Sequence, residues 1–237
     1  MGEPLLNKDI FEMIRLAKKE NFARSIEITT NASLLNVKTS EKLISSGLDL
    51  CKISIYGSTD NEMQDLTNTR FKSGDIYNNI KNLAKLRDKN NSKLKIMAKT
   101  VVNQRDSNIY DYMKNLNELV DYIEIHEEHS WTDSVDIKTK PQKKKCAFPF
   151  YTIAIHSDGQ VSPCCVDWSK KQAYGNALDE SLLKIWKCNK IEELRLSHLN
   201  QDLTSHEGCN GCDYFLENCP DNIDQLKASM YNSRISN

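Results

Sequence analysis

No apolar run in the chain approaches the ~18 residues that suggest a membrane-spanning helix, and the mean hydropathy is −0.60. No membrane span and no membrane partner are expected. An excess of charge of either sign is also missing: 32 basic residues against 33 acidic ones leave a net charge of −1. That balance gives no support for broad nucleic-acid binding, which needs a cationic surface. A secretory leader is not visible, because Met1 runs straight into Gly-Glu-Pro, so a cytoplasmic location is expected. Internal repeats and low-complexity tracts are lacking too. What is present is an ordinary globular balance, 39% hydrophobic and 27% charged over 237 residues. That is one large domain or two small ones.

Cysteine is unevenly distributed. The chain has eight, and all but Cys51 lie beyond residue 145. In a chain read as cytoplasmic, clustered cysteines point to metal before disulfides.

The first half, residues 1–128, alternates helix and strand patterns. Asn7 is expected to cap a helix whose apolar positions Ile10, Met13, Ile14 and Ala17 keep a helical period. Ser25-Ile-Glu-Ile-Thr-Thr30 alternates like a strand. Residues 39–46 read as a helix that Gly47 stops, and Cys51-Lys-Ile-Ser-Ile-Tyr56 as a second strand ended by Gly57. Ile76, Ile80, Leu83 and Leu86 stripe a longer helix. Leu94–Val102 and Val120–Ile125 make two more strands, with a helix over 108–119 between them. Such an order predicts α/β architecture with parallel strands joined by right-handed crossovers and a site at their carboxyl ends.

Residues 129–145 read as a linker whose basic end, Lys138–Lys145, is a solvated run. Beyond it the texture changes. Thr152–Ile155 and Gln160–Ser162 flank His156-Ser-Asp-Gly159, a β-hairpin signal, and a helix over Leu182–Leu196 follows.

Seventeen residues separate Cys146 from Cys164, and 44 more separate Cys164 from Cys209-Asn-Gly-Cys212. Two separated cysteines and a C-x-x-C place four thiolates around one centre. Thiolates suit zinc and iron–sulfur clusters equally, so spacing alone does not choose. Cys165 is an alternative to Cys164, and Cys219 to a member of the C-x-x-C. Cys51, in an apolar strand, and Cys188, after a helix, read as structural.

Cys146-x12-Gly159-x4-Cys164 resembles the opening of the SPASM or twitch extension of radical S-adenosylmethionine (SAM) enzymes. Cys146-Ala-Phe-Pro149, Ser162-Pro-Cys-Cys165, Gly175-Asn176, Leu183-Lys-Ile-Trp186 and Leu194-Arg195 agree with it. The first half resembles the barrel of the same family. Gly2-Glu-Pro4 matches the end of its Gly-Gly-Glu-Pro motif, Thr30-Asn31-Ala32 its Thr-Asn-Gly turn, and Ser54-Ile-Tyr-Gly57 its Ser-x-Asp-Gly. The resemblance implies an incomplete radical SAM (β/α)6 TIM-like barrel over 1–128 and a small SPASM/twitch domain with a β-hairpin and helix over 146–237.

It also implies a site. Gly2, Glu3 and Pro4 receive the methionyl amino group of SAM, Ser54 with Thr30 nearby bonds its ribose or carboxylate end, and Arg70 forks its carboxylate. Asn103 falls where the family lines its pocket, and His126, His129, Trp131, Glu124, Glu127 and Glu128 fall near the substrate. Cys146, Cys164, Cys209 and Cys212 hold one auxiliary [4Fe-4S] cluster used in electron transfer.

The family's catalytic C-x-x-x-C-x-x-C is not present. A second, catalytic [4Fe-4S] cluster and SAM chemistry are therefore expected only of a longer form, with roughly 45–50 further amino-terminal residues on a scale of about 250 residues per eight βα units. No catalytic residue is named. The implied function is oxidoreductase-like radical chemistry on a small molecule, sugar or peptide, with flavodoxin or ferredoxin as electron donor. The alternative is a non-catalytic zinc or iron–sulfur module or electron-transfer partner.

Overall fold

The computed structural model describes residues 2–102, 108–127, 144–212, 214, 219 and 221–235. Asn103, Glu128, His129, Trp131 and most of the expected linker lie outside the described residues. The chain divides into two compact units, Met1–Glu128 and His129–Asn237.

The first unit runs α1 (Ile10–Lys19), β1 (Glu27–Thr30), α2 (Val37–Ser45), β2 (Leu50–Ile55), α3 (Asp60–Thr67), α4 (Ser73–Lys89), β3 (Lys95–Val102), α5 (Ile109–Asn115) and β4 (Tyr122–Glu127). The strands form one parallel sheet in the order β1-β2-β3-β4. Among the described residues the sheet is open.

The pleat sorts its side chains. Cys51, Ile53 and Ile55 of β2 and Ile96, Ala98 and Thr100 of β3 are buried on one face. Leu43 of α2, Ile76, Ile80 and Leu83 of α4, and Ile109 and Met113 of α5 pack into the same core. The opposite face carries Lys52, Ser54, Lys99, Glu124 and His126, all half-buried. Register aligns Ser54 with Lys99 and Lys99 with Glu124. A face without covering helices that is this polar is the inner face of a βα arrangement, not a second core.

Three details differ from the sequence reading. Asp9, not Asn7, is the residue before α1, and Asn7 instead accepts the Asp9 N–H in a tight turn at 3.0 Å. α3 was not expected. It begins with a capping box, in which the Thr59 hydroxyl accepts the Glu62 N–H and the Glu62 carboxylate accepts the Thr59 N–H. Gly57 permits it: a Cβ there would lie 2.7 Å from Glu62 Cβ, so only glycine lets α3 start against the end of β2. β4 extends to Glu127, which places His126 inside the strand rather than after it.

The second unit is built on a short antiparallel sheet of β5 (Ala154–Ile155), β6 (Gln160–Ser162) and β7 (Gly175–Asn176). Gly159 turns the hairpin at φ +83°, and a Cβ there would meet Asn176 and come within 2.8 Å of Leu178 Cγ. The helix expected over 182–196 is two helices, α6 (Leu182–Trp186) and α7 (Asn189–Asn200), broken at Lys187–Cys188. A last helix spans Ala228–Ile235. Val161, Tyr174, Ile185, Ile191 and Leu194 form this unit's core. Lys145 corrects the solvated-run reading: it is buried, its N–H bonded to Asp224 Oδ1 at 3.0 Å and its ammonium to the Asp224 carbonyl at 3.0 Å.

Candidate functional site

Cys146, Cys164, Cys209 and Cys212 line one cavity in the second unit, together with Phe148, Pro149, Pro163, Val166, Asp167, His198, Gly208 and Tyr214. Local structure brings each thiol there. Cys146 stands one residue before Ala147, the N-cap of the 3-10 turn Phe148–Phe150, and the Phe148 N–H donates to its sulfur. Cys164 follows β6, and its sulfur takes the N–H groups of Val166 and Asp167.

The C-x-x-C loop is wound on one carbonyl. The His206 oxygen accepts the N–H groups of Cys209 and Asn210, both at 2.8 Å. Cys212 N–H then returns to the Cys209 oxygen at 3.2 Å, with Gly211 at φ +77° completing the turn. Gly208 lies against a second turn, in which Asp167 accepts the N–H groups of Lys171 and Gln172, each at 2.9 Å. A Cβ on Gly208 would be 3.0 Å from Gln172 Cγ and 3.2 Å from Asp167 Oδ1.

Burial first, and then the proximity of the other thiols, pushes Cys146, Cys164 and Cys209 above the ordinary thiol range, Cys209 to about 12. These three thiols, crowded in an apolar setting, resist ionisation unless a cation joins them. Among the described residues of this unit, three buried polar atoms have no hydrogen-bond partner: Tyr174 OH, one Arg195 nitrogen and His198 Nε2. His198 is itself a cavity residue. Orphaned buried donors of this kind mark a place that a further group completes.

Among the described residues no three His, Cys, Asp or Glu side chains already converge on one metal ion. The thiols ring a cavity instead of a point. A thiolate set of this kind suits zinc and an iron–sulfur cluster alike. Cys165 is exposed and outside the cavity lining, whereas Cys164 is on it. Cys219 is buried, and the Tyr151 hydroxyl lies 3.5 Å from its sulfur. Cys51 sits in the core of the first unit, where burial pushes its thiol up to about 12, and Cys188 packs at the edge of the second core.

Among the other expected residues, Glu3, Thr30 and Ser54 lie at the carboxyl ends of β1 and β2, whereas Arg70 does not. Glu3 ties the start of the chain to β1: its carboxylate accepts the Thr30 hydroxyl at 2.7 Å, the Asn31 N–H at 2.8 Å and the Leu5 N–H at 3.0 Å. Glu3 and Thr30 are thus bonded to each other, with Gly2 and Pro4 on either side of Glu3. Ala32 stands at φ +60°, the position of the family's turn glycine, and is fully buried. The N–H of Ala32 reaches the Thr30 hydroxyl at 3.1 Å, and the Ala32 carbonyl accepts the Asn79 amide at 2.9 Å. Ser54 lines a separate groove with Ile55, Tyr56, Leu66, Lys99, Thr100 and Val101. Arg70 is exposed between α3 and α4 and is not part of that groove's lining. Lys99, which sequence reading did not single out, stands 3.7 Å from Glu124, and Glu124 stands 3.3 Å from His126. Only its alternation with the buried Ala98 and Thr100 signals that it points to the polar face.

Residues 146–213 match the SPASM family, an iron–sulfur cluster-binding domain. No curated protein matches the chain. Among solved structures, BtrN in complex with AdoMet and 2-DOIA aligns with a TM-score of 0.54 at 18% identity, over 90% of this chain and 69% of BtrN. Streptococcus suis SuiB bound to S-adenosylmethionine aligns with a TM-score of 0.57 at 19% identity, over 82% of this chain and 55% of SuiB. anSMEcpe with bound AdoMet and the Kp18Cys peptide gives 0.55 at 17% identity, over 98% of this chain and 79% of that one. The chain therefore has the fold of radical SAM proteins that carry a SPASM domain, as the sequence resemblance anticipates, and spans little more than half the length of SuiB.

Proposed function

We propose that the second unit holds one auxiliary [4Fe-4S] cluster on Cys146, Cys164, Cys209 and Cys212, and that the first unit binds S-adenosylmethionine at the strand ends around Glu3, Thr30 and Ser54. The observation that carries the proposal is the cavity ringed by these four thiols inside the SPASM-matched segment. Four thiolates leave no iron open, which suits electron transfer rather than substrate ligation. When bound, the cluster supplies a one-electron acceptor. The chain's own part is to exclude water from it, through Phe148, Pro149, Pro163 and Tyr214.

In the first unit the Glu3 carboxylate is held by three donors, so its part is to fix the Gly2–Pro4 backbone and the Thr30–Asn31 turn beneath the ligand. The polar face beside Ser54 then offers Lys99, Glu124 and His126 to a small polar substrate or a peptide. Among the similar structures, BtrN is seen with 2-DOIA and anSMEcpe with the Kp18Cys peptide. The reading is an oxidoreductase whose full-length form performs radical chemistry on such a substrate, in the cytoplasm and with a small electron-transfer protein as donor.

A second reading is a cluster-binding electron-transfer module, favoured by the lack of a C-x-x-x-C-x-x-C among the 237 residues. Two measurements separate them. Anaerobic reconstitution is expected to load about four irons and four acid-labile sulfides per chain, and the double variant Cys209→Ala, Cys212→Ala to load none. One zinc without sulfide refutes the cluster. Calorimetric titration with S-adenosylmethionine is expected to show binding that Glu3→Gln weakens; no binding to the wild type leaves the module reading.

A further inference from the structure

The cavity has one polar side chain besides cysteine whose buried nitrogen meets nothing. His198 is 3% exposed, lines the cavity, and its Nε2 has no hydrogen-bond partner. An imidazole nitrogen left so in a protein interior is destabilising, so a partner is to be expected. Its placement is built rather than incidental. His198 is in the last turn of α7, on the same face as Ile191, Leu194 and Arg195. The neighbouring Ser197 hydroxyl is bonded to His206 Nε2 at 3.0 Å, and the His206 carbonyl winds the C-x-x-C loop. One helix turn is thereby fixed to the loop that carries Cys209 and Cys212.

The remaining cavity residues with polar side chains are the four cysteines, Asp167 and Tyr214. Asp167 already accepts two backbone N–H groups.

We propose that His198 donates its Nε2 hydrogen to a sulfur of the cluster and by doing so raises the cluster's reduction potential. The proposal rests on the cluster reading above. The physics is that of any donor to a cluster sulfur: it stabilises the more negative, reduced state more than the oxidised one. His198 is thus a tuning residue, not a ligand, and His198→Phe keeps ring bulk while removing the donor.

The test is an EPR-monitored redox titration of the reconstituted full chain, with iron and sulfide counted in every sample. His198→Phe is expected to load the cluster in full and to lose about tenfold in the reduction equilibrium, a fall of about 59 mV for a one-electron couple. His198→Gln, which restores an N–H, is expected to recover part of that loss. An unchanged potential in His198→Phe overturns the proposal. So does an equal fall in both variants, the result expected of lost packing alone. Should His198→Phe fail to load, wild-type protein carrying 15N-histidine decides by pulsed EPR. A weak nitrogen coupling supports the hydrogen bond; no coupling, or one as large as a nitrogen bound to iron gives, overturns it. Wild-type protein that takes up neither iron nor sulfide refutes the cluster reading itself, an outcome distinct from all of these.

Discussion

Arg195 joins three separate stretches of the second unit. Its Nε donates to the Pro149 carbonyl at 2.9 Å, another guanidinium nitrogen donates to the Trp186 carbonyl at 3.2 Å, and the group lies 4.1 Å from the Trp186 ring centre. The side chain is almost wholly buried and pairs with Glu192. Cys146-Ala-Phe-Pro149, Leu183-Lys-Ile-Trp186 and Leu194-Arg195 were each legible as text, but not that one guanidinium holds them together beside Cys146. Only a planar fork with several donors does this, so Arg195→Lys is expected to cost about 2 kcal/mol although it keeps the charge. Urea unfolding of the second unit, followed by Trp186 fluorescence, measures it; an unchanged midpoint would show the fork to be dispensable. His198 was missed at the same scale. Its signal was spacing: it stands seven residues after Ile191 and four after Leu194, both fully buried, which puts a histidine on the buried face of α7.

At the scale of elements, the starts of the strands are pinned by carboxylates. Asp49 accepts the Lys18 ammonium at 2.8 Å and the Ile26 N–H at 2.8 Å; Asp121 accepts Arg87 at 2.7 Å, Lys95 at 2.8 Å and the Ile96 N–H at 2.9 Å. Each ties the beginning of one strand to that of its neighbour. The Lys18 and Ile26 bonds hold the Asp49 carboxyl below its usual range. Burial pushes Asp121 up, but Lys95, the Ile96 N–H and Arg87 outweigh it and the net shift is down. A folded-state value below the unfolded one favours the ionised, folded form. That stability is complete above the ordinary carboxylate value of about 3.9 and is lost as pH falls through the depressed folded values. The acid limb of unfolding, read by far-UV circular dichroism, is expected to flatten below about pH 4 in Asp49→Asn, Asp121→Asn. At pH 7 Asp121→Asn alone is expected to cost about 1–2 kcal/mol; identical acid limbs would remove the carboxylates from the account. The strands themselves were legible because their alternation or apolar runs are unbroken. α3 was not, since its eight residues bury only Met63 and its start is marked solely by Thr59 and Glu62. The split between α6 and α7 follows from phase: Ile185 and Ile191 are both buried yet six residues apart, which one straight helix cannot place on one face.

On the scale of the whole molecule the two units differ in what holds them. The first has a continuous core in which all four strands and most of the helices take part. In the second, the apolar cluster among the described residues has five buried side chains with partly buried ones packed against them, and the strands are two and three residues long. Buried area in a unit of that kind supplies little surplus over the entropy of ordering it, and small domains of this sort are completed by metal or cross-links. None of the thiols is cross-linked. The buried thiols of Cys146, Cys164 and Cys209, pushed away from their ionised form by burial, add a cost that binding a cation removes. A group that binds the folded form alone stabilises it in proportion to its affinity. Scanning calorimetry is therefore expected to resolve two transitions, of which reconstitution raises one and leaves the other in place. Cys209→Ala, Cys212→Ala protein is expected to keep the second transition unaltered and to lose the response of the first. A single transition that moves as a whole on loading would show that the two units unfold as one, and that the cluster supports the parallel sheet as well as the cavity that holds it.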